Sequence, residues 1–344
     1  MTRSGPTWRN AEGCRVTLSD GRELLDLSGG FGVAALGHRN PRILEAWREQ
    51  NVVHALGDLA EAEVTARLRE TLPRPARFGV SGEDAVEIAL RTALLETGRS
   101  GIVAFEGAYH GTGLLALAAT GFEQFQLPFT AWLPGPVHRR PYGADPGPLP
   151  DDTACVIVEP VQGRAGSRVP PDGFLGTLRA RCDDADALLV VDSIYAGLGR
   201  VGELWPGAEV ADLLCVGKAL GGGIPLSAVL FYRDGLEDLW QLGPAEVYTH
   251  THAGNPLACA AALVLLDEAP RLLEHVVAMG ERFERAGWQG RGLLRARSGD
   301  ADEALARGVL VVPAGVDGSL IQATPPLTIT EAEVDEALER LSTI

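Results

Sequence analysis

Lysine is nearly absent from this chain. Of 30 basic residues in 344, 29 are arginine and one, Lys218, is lysine. A guanidinium serves for surface charge, salt bridges and anion contacts, but it cannot give up its proton to become a nucleophilic amine. The surviving lysine is therefore a candidate nucleophile. Long apolar runs are missing too: no stretch approaches the ~18 consecutive apolar residues of a membrane helix, and the opening MTRSGPTWRNAEG has no apolar signal core. The five cysteines are odd in number and include no C-x-x-C pair, which speaks against a disulfide framework and for buried thiols in a reducing cytoplasm. A net charge of −16 denies the cationic footprint that nucleic acid or an anionic membrane requires. Repeats and low-complexity tracts are absent as well.

What is present is the alternation of an α/β sheet covered by helices. Short β-branched runs, IVAF from Ile102, CVIVE from Cys155, ALLVVD from Ala187, LLCVG from Leu213 and SAVLFY from Ser227, alternate with helical patterns. Helix starts are legible at Asn40-Pro41 and Asn255-Pro256, and Thr330 with Glu333 forms a capping box. These signals predict an N-terminal segment over 1–39, a large domain with a mostly parallel sheet over 40–256, and a smaller C-terminal α/β domain over 257–344. Pro and Gly crowd Leu127 to Pro150 without hydrophobic periodicity, which predicts a long loop there.

The chemistry gathers at strand ends. Asp192 closes the run ALLVV and Lys218 follows the next strand, so both are expected at the carboxyl edge of the sheet, where open α/β sheets bind ligands. An amine and an acid in one pocket suit pyridoxal phosphate: the amine forms a Schiff base, and the acid keeps the ring nitrogen protonated so that the ring acts as an electron sink. Ser81-Gly82 opens the helix EDAVEIALRTALLETG, whose first backbone N–H groups can face a phosphate. Tyr109, in EGAYHGTG, is a candidate to lie on the cofactor face, with His110 supporting it. Other motifs carry less. GLGRVG at Gly197 matches a dinucleotide fingerprint but runs into Trp205-Pro206 instead of a helix, Lys218 lacks the glycine and hydroxyl of a P-loop, and His250 and His252 lack a third metal ligand.

Taken together, DLSGGFGVAALGHRNP from Asp26, SGEDAVEIAL from Ser81, FEGAYHG from Phe105, EPVQGRAG from Glu159, PPDGFL from Pro170, DSIYAGLGRVG from Asp192, GKALGGGIPLSA from Gly217, HTHAGNPLACAAAL from His250 and TPPLTIT from Thr324 run in order along nearly the whole chain. In this the sequence resembles class III aminotransferases of pyridoxal-phosphate fold type I, the group of ornithine, acetylornithine and γ-aminobutyrate transaminases, as a shortened, divergent member. The resemblance implies Lys218 as the Schiff-base lysine, Asp192 as partner of the ring nitrogen, Ile194 under the ring and Tyr109 stacked on it. It implies phosphate contacts from Ser81, Gly82 and the backbone of Glu83, completed by Thr251 of a second subunit in a homodimer with shared sites. Glu159 would stand behind the lysine and Asp192, and Phe31 at the substrate entrance.

Departures from the family pattern concern the substrate. Tyr195 stands where a glutamine usually meets the ring hydroxyl, a contact its phenol can replace. Glu83 replaces a small or hydroxyl residue, so only its backbone can serve the phosphate. Gln322 occupies the position of an arginine that clamps the substrate carboxylate in ornithine-type enzymes, and Arg164 that of the glutamate which pairs with it. Arg164 is expected either to anchor a carboxylate from the opposite side or to pair with a structural acid. The expected activity is transfer of an amino group between an amine or amino acid and a carbonyl acceptor. Racemisation or epimerisation, decarboxylation, and a scaffold that binds the cofactor without catalysis remain open alternatives.

Overall fold

The computed structural model describes residues 5–55, 60–240 and 249–342. Its centre is a seven-stranded sheet in the order Ala76–Gly79, Ser227–Phe231, Leu213–Val216, Leu188–Asp192, Thr153–Val158, Gly101–Phe105, Val137–Arg140. All neighbours pair in parallel except Ser227–Phe231, which runs antiparallel to both strands beside it.

Both faces of this sheet are covered, and the sequence states why. Successive side chains of a strand point to opposite faces, and here both sets are apolar, as in sheets buried on two sides. Ile102, Ala104, Cys155, Ile157, Leu188 and Val190 pack with Ala85, Ile88, Ala89 and Ala93 of the helix Gly82–Thr97. Val103, Phe105, Val156, Val158, Leu189 and Val191 form the other core with Phe174 and Leu178 of the helix Phe174–Ala185 and with the long helix Pro256–Arg285. Each such aliphatic side chain, fully buried, stabilises the fold by about 1.5–3 kcal/mol relative to exposure.

The N-terminal strands Trp8–Glu12, Arg15–Leu18 and Glu23–Asp26 form a meander, and Val309–Leu310 joins it in parallel beside Glu23–Asp26. A third sheet orders Gln289–Arg291, Leu294–Ser298, Leu320–Ala323 and Val312–Ala314. The segment from Leu127 to Pro150 departs from the loop that its composition predicts. It contains a short 3-10 helix, Leu127–Trp132, and the edge strand Val137–Arg140. That strand, Val-His-Arg-Arg, is half-buried at every position, so an edge place left no apolar alternation to read. The GLGRVG stretch forms turns and opens no helix. Among the described residues, no helix is long and apolar enough to cross a membrane.

The helix starts are built as their sequences require. Asn40 Oδ1 accepts from Arg42 N and Ile43 N, Thr330 and Glu333 complete the capping box, and Asn255 Oδ1 accepts from Leu257 N at 3.0 Å and Ala258 N at 3.3 Å. Asn255→Ala leaves those amides without a cap and should cost about 1 kcal/mol. This is read as a lower urea midpoint at unchanged slope; an unaltered midpoint would mean that the cap contributes nothing.

Candidate active site

Asp192 is the last residue of its strand, and Lys218 lies just past the end of the adjacent strand Leu213–Val216. The parallel pairing brings both to the same edge of the sheet, where they line one cavity of about 390 Å³. Lys218 has a left-handed backbone, φ 33°, a conformation that costs roughly 1–3 kcal/mol and persists where the surroundings enforce it.

The helix Gly82–Thr97 points its N-terminus into this cavity. Ser81 caps it, accepting from Asp84 N, and the helix ends at Gly98 in a left-handed conformation. Gly82 lies so close to Ile194 that a Cβ there would come 2.8 Å from Ile194 Cγ2. The close approach leaves the first N–H groups and the Ile194 side chain on one wall. Glu83 would oppose an anion at that wall, but its carboxylate is turned onto the neighbouring loop, where Oε2 accepts from Thr112 N at 2.8 Å and Thr112 Oγ1 at 2.9 Å.

The buried acids are held from several sides. Asp192 Oδ2 meets His110 Nδ1 at 2.7 Å and its Oδ1 accepts from Ile194 N at 3.1 Å. His110 thus orients Asp192, a different task from the support of Tyr109 expected of it. Glu159 accepts from Tyr109 N at 2.9 Å and Gly163 N at 3.2 Å. Burial, reinforced by the negative charge of Asp192, pushes the Glu159 carboxyl up to about 8. Burial pulls the Lys218 amine down, with Arg164 adding to the effect while Asp192 and Glu159 oppose it. A lysine of this kind is more often neutral, hence nucleophilic, than one in water.

Tyr195 lays its ring against the amine, with Lys218 Nζ 4.1 Å from the ring centroid. Burial pushes its phenol up to about 12, and the hydroxyl donates to Gln322 Oε1 at 2.9 Å. That hydroxyl, expected to replace a glutamine at the cofactor ring, is thus engaged with a side chain of the adjoining sheet. Gln322 is buried, and its Nε2 donates to Gly163 O at 2.6 Å and Ser167 Oγ at 2.9 Å. Gly163 is a steric necessity, since a Cβ there would fall 2.4 Å from Tyr195 Cδ1.

Of the residues singled out in the sequence, Ser81, Gly82, Glu83, Tyr109, His110, Glu159, Arg164, Asp192, Ile194, Tyr195 and Lys218 line the one cavity. Gln322 stands behind its wall, while Phe31 and Thr251 are exposed outside it. The sequence reading overlooked Val33, Val80, Gly111 and the run Gly223 to Leu226 as lining residues; the last lies in the GKALGGGIPLSA motif, where its glycines were the available signal. A larger cleft of about 580 Å³, lined by His54, Thr65, Arg69, Arg77, Phe78 and neighbours, holds no lysine and no strand-end acid. The chemistry therefore belongs to the smaller cavity.

A neutral-leaning amine, a hydrogen-bonded acid and an anion-facing helix start on one wall fit pyridoxal phosphate, and with this sheet they define a fold type I enzyme of that cofactor. A model of the class-III aminotransferases matches residues 6–286, and the chain belongs to that family. It is 36% identical to an acetylornithine aminotransferase of Methanopyrus kandleri over 96% of this chain and 92% of the relative. It is 32% identical to a putrescine aminotransferase of Pectobacterium atrosepticum, over 96% and 80%. A solved amine transaminase from an uncultivated Pseudomonas species, in its pyridoxal-phosphate-bound form, superposes with a TM-score of 0.88 at 27% identity, covering 98% of this chain and 94% of the other. The chain is accordingly a pyridoxal-phosphate-dependent aminotransferase, and these relatives give no support to the racemase, decarboxylase or scaffold alternatives.

Glu159 supplies a pH test of this electrostatic arrangement. Its folded value of about 8 lies above the ordinary carboxylate range, so the folded state holds an extra proton between the two. Its stabilising contribution is complete at acid pH and is lost as pH rises through 8. In Glu159→Gln the melting temperature of the cofactor-free protein should decline less between pH 5 and 9 than in the wild type; parallel curves would refute the shift.

Proposed function

We propose that Lys218 Nζ both holds the cofactor and moves the proton during amino transfer, with Asp192 as the acid at the ring nitrogen. The carrying observation is that Lys218 and Asp192, on adjacent strand ends, line one cavity with the N-terminus of the helix Gly82–Thr97. When bound, pyridoxal phosphate supplies a carbonyl carbon that takes up an amine and a ring that draws charge from the substrate carbon. Everything else falls to the chain. Lys218 Nζ would hold that carbonyl carbon and, once free as a base, would move the proton at the substrate carbon.

Asp192 is oriented for this task by His110 and Ile194 N, which hold its two oxygens, and the neighbouring Glu159, raised to about 8, carries little negative charge at neutral pH. Tyr109 and Ile194 would flank the ring, and Ser81 with the backbone N–H groups of Gly82 and Glu83 would hold the phosphate. Thr251 lies exposed and outside the cavity of its own chain, free to reach the phosphate of a second copy in a homodimer. Five buried free thiols suit a reducing cytoplasm.

Borohydride reduction of the loaded wild-type protein should fix the cofactor's mass on the peptide carrying Lys218, and Lys218→Ala should carry none. Label on any other residue would end this reading. Amino transfer, followed as consumption of the donor, should fall about 10²- to 10⁴-fold in Lys218→Ala, the range for loss of a positioned acid–base group.

A further inference from the structure

Arg164 is the one cavity-lining cation other than Lys218 among the described residues, and it is built into the site without a counter-ion. Its guanidinium carbon lies 5.1 Å from the ring centroid of Tyr109, 5.3 Å from Phe125 and 6.0 Å from Phe122. These rings pack on one another edge to face or tilted, with Tyr109 5.7 Å from Phe125 and 6.2 Å from Phe122. Behind them, Arg164 O accepts from Gly315 N at 3.0 Å, which ties the backbone of this position to the adjoining unit. Aromatic faces attract the cation, but they accept none of its N–H groups, which have no protein acceptor among the described residues and face the open cavity.

The acids in the cavity wall do not fill that need. Glu83 is bound to Thr112, Glu159 to the Tyr109 and Gly163 amides, and Asp192 to His110 and Ile194 N. The structural acid pair that the sequence left open for Arg164 is not found among the described residues. Gln322, on the far side of Tyr195, is closed to ligands as well: its carbonyl accepts from Tyr195 and its amide donates to Gly163 O and Ser167 Oγ. The cavity thus offers an incoming molecule a single caged guanidinium beside the reactive amine, while the acids of its wall are already engaged.

Donor and acceptor enter this cavity in turn, so whatever recognises one must recognise the other. We propose that Arg164 is the sole carboxylate anchor of the site, taken alternately by the acid group of the amine donor and that of the carbonyl acceptor, so that the enzyme works on monocarboxylates and disfavours dicarboxylates. The inference rests on amino transfer at Lys218. A fork of two N–H groups suits one carboxylate in bidentate fashion. A second carboxylate on the same substrate meets no second guanidinium among the described residues that line the cavity, so its desolvation goes uncompensated.

Unreactive acids separate recognition from chemistry. The cofactor-loaded protein is titrated calorimetrically with propionate and with succinate, in the wild type, Arg164→Ala and Arg164→Lys. Propionate should bind the wild type more tightly than succinate does. Its affinity should fall about 10- to 100-fold in Arg164→Ala, the weight of a charge-assisted hydrogen bond, and recover in part in Arg164→Lys, which keeps the charge without the fork. In steady state, the ratio of kcat/KM for pyruvate to that for 2-oxoglutarate should exceed one and fall in Arg164→Ala, mainly through the KM for pyruvate. Propionate affinity indifferent to Arg164, or succinate bound more tightly than propionate, overturns the proposal even if amino transfer at Lys218 is intact. Propionate binding that depends on Arg164 in a protein that exchanges no amine supports the anchor and instead overturns the reaction assigned to Lys218.

Discussion

The site depends on placing an amine and two carboxyl groups, Lys218, Asp192 and Glu159, at one edge of a sheet whose strands Leu188–Asp192 and Leu213–Val216 are otherwise apolar. Isolated charges in such surroundings are costly, and they persist only when paired, hydrogen-bonded or neutralised. Each solution is visible. Asp192 is hydrogen-bonded on both oxygens, Glu159 is driven toward its neutral form, and Lys218 toward its free base. The same burial that threatens stability therefore creates an amine ready to react.

The sheet explains why so much was legible in the sequence. Strands buried on both faces are apolar along most of their length, so Leu188–Asp192 and Thr153–Val158 announce themselves as nearly continuous runs, and the first polar residue after such a run marks the strand end. Asp192 could be found this way, and Lys218 by being the sole lysine. The edge strand Val137–Arg140 obeys no such rule, because half its surroundings are solvent and its side chains need not be apolar. Its pairing with Gly101–Phe105 is a long-range fact that local composition cannot encode.

The polar network behind the cavity escaped sequence reading for a related reason. Tyr195, Gln322 and Gly163 are far apart along the chain, and the bond from the Tyr195 hydroxyl to Gln322 exists only because the sheet containing Leu320–Ala323 docks against the turn at Gly163. Substitution at two family positions, read separately, left Tyr195 and Gln322 as independent candidates for cofactor and substrate. Together they are one closed unit, with donors and acceptors matched, and Gly163 is small because the Tyr195 ring lies on it. His110 was placed next to the correct residue in sequence, yet its ring turns away to Asp192, a direction that adjacency to Tyr109 does not fix.

The departures at Glu83 and Arg164 run in opposite electrostatic directions. A carboxylate at Glu83 near the helix start would repel the phosphate that the site must hold, and Thr112 removes much of that repulsion by drawing the carboxylate onto the next loop with two hydrogen bonds. At Arg164 the opposite change occurs: a cation stands in the wall, and three aromatic rings hold it where no acid neutralises it among the described residues. A negative charge was admitted only with donors to restrain it, whereas a positive charge was admitted and left open. In the cofactor arrangement proposed for this cavity, Asp192 and the helix start at Gly82 take the ring nitrogen and the phosphate, which leaves the guanidinium unassigned. Its N–H groups, without a protein acceptor among the described residues, are open to the molecules that come and go.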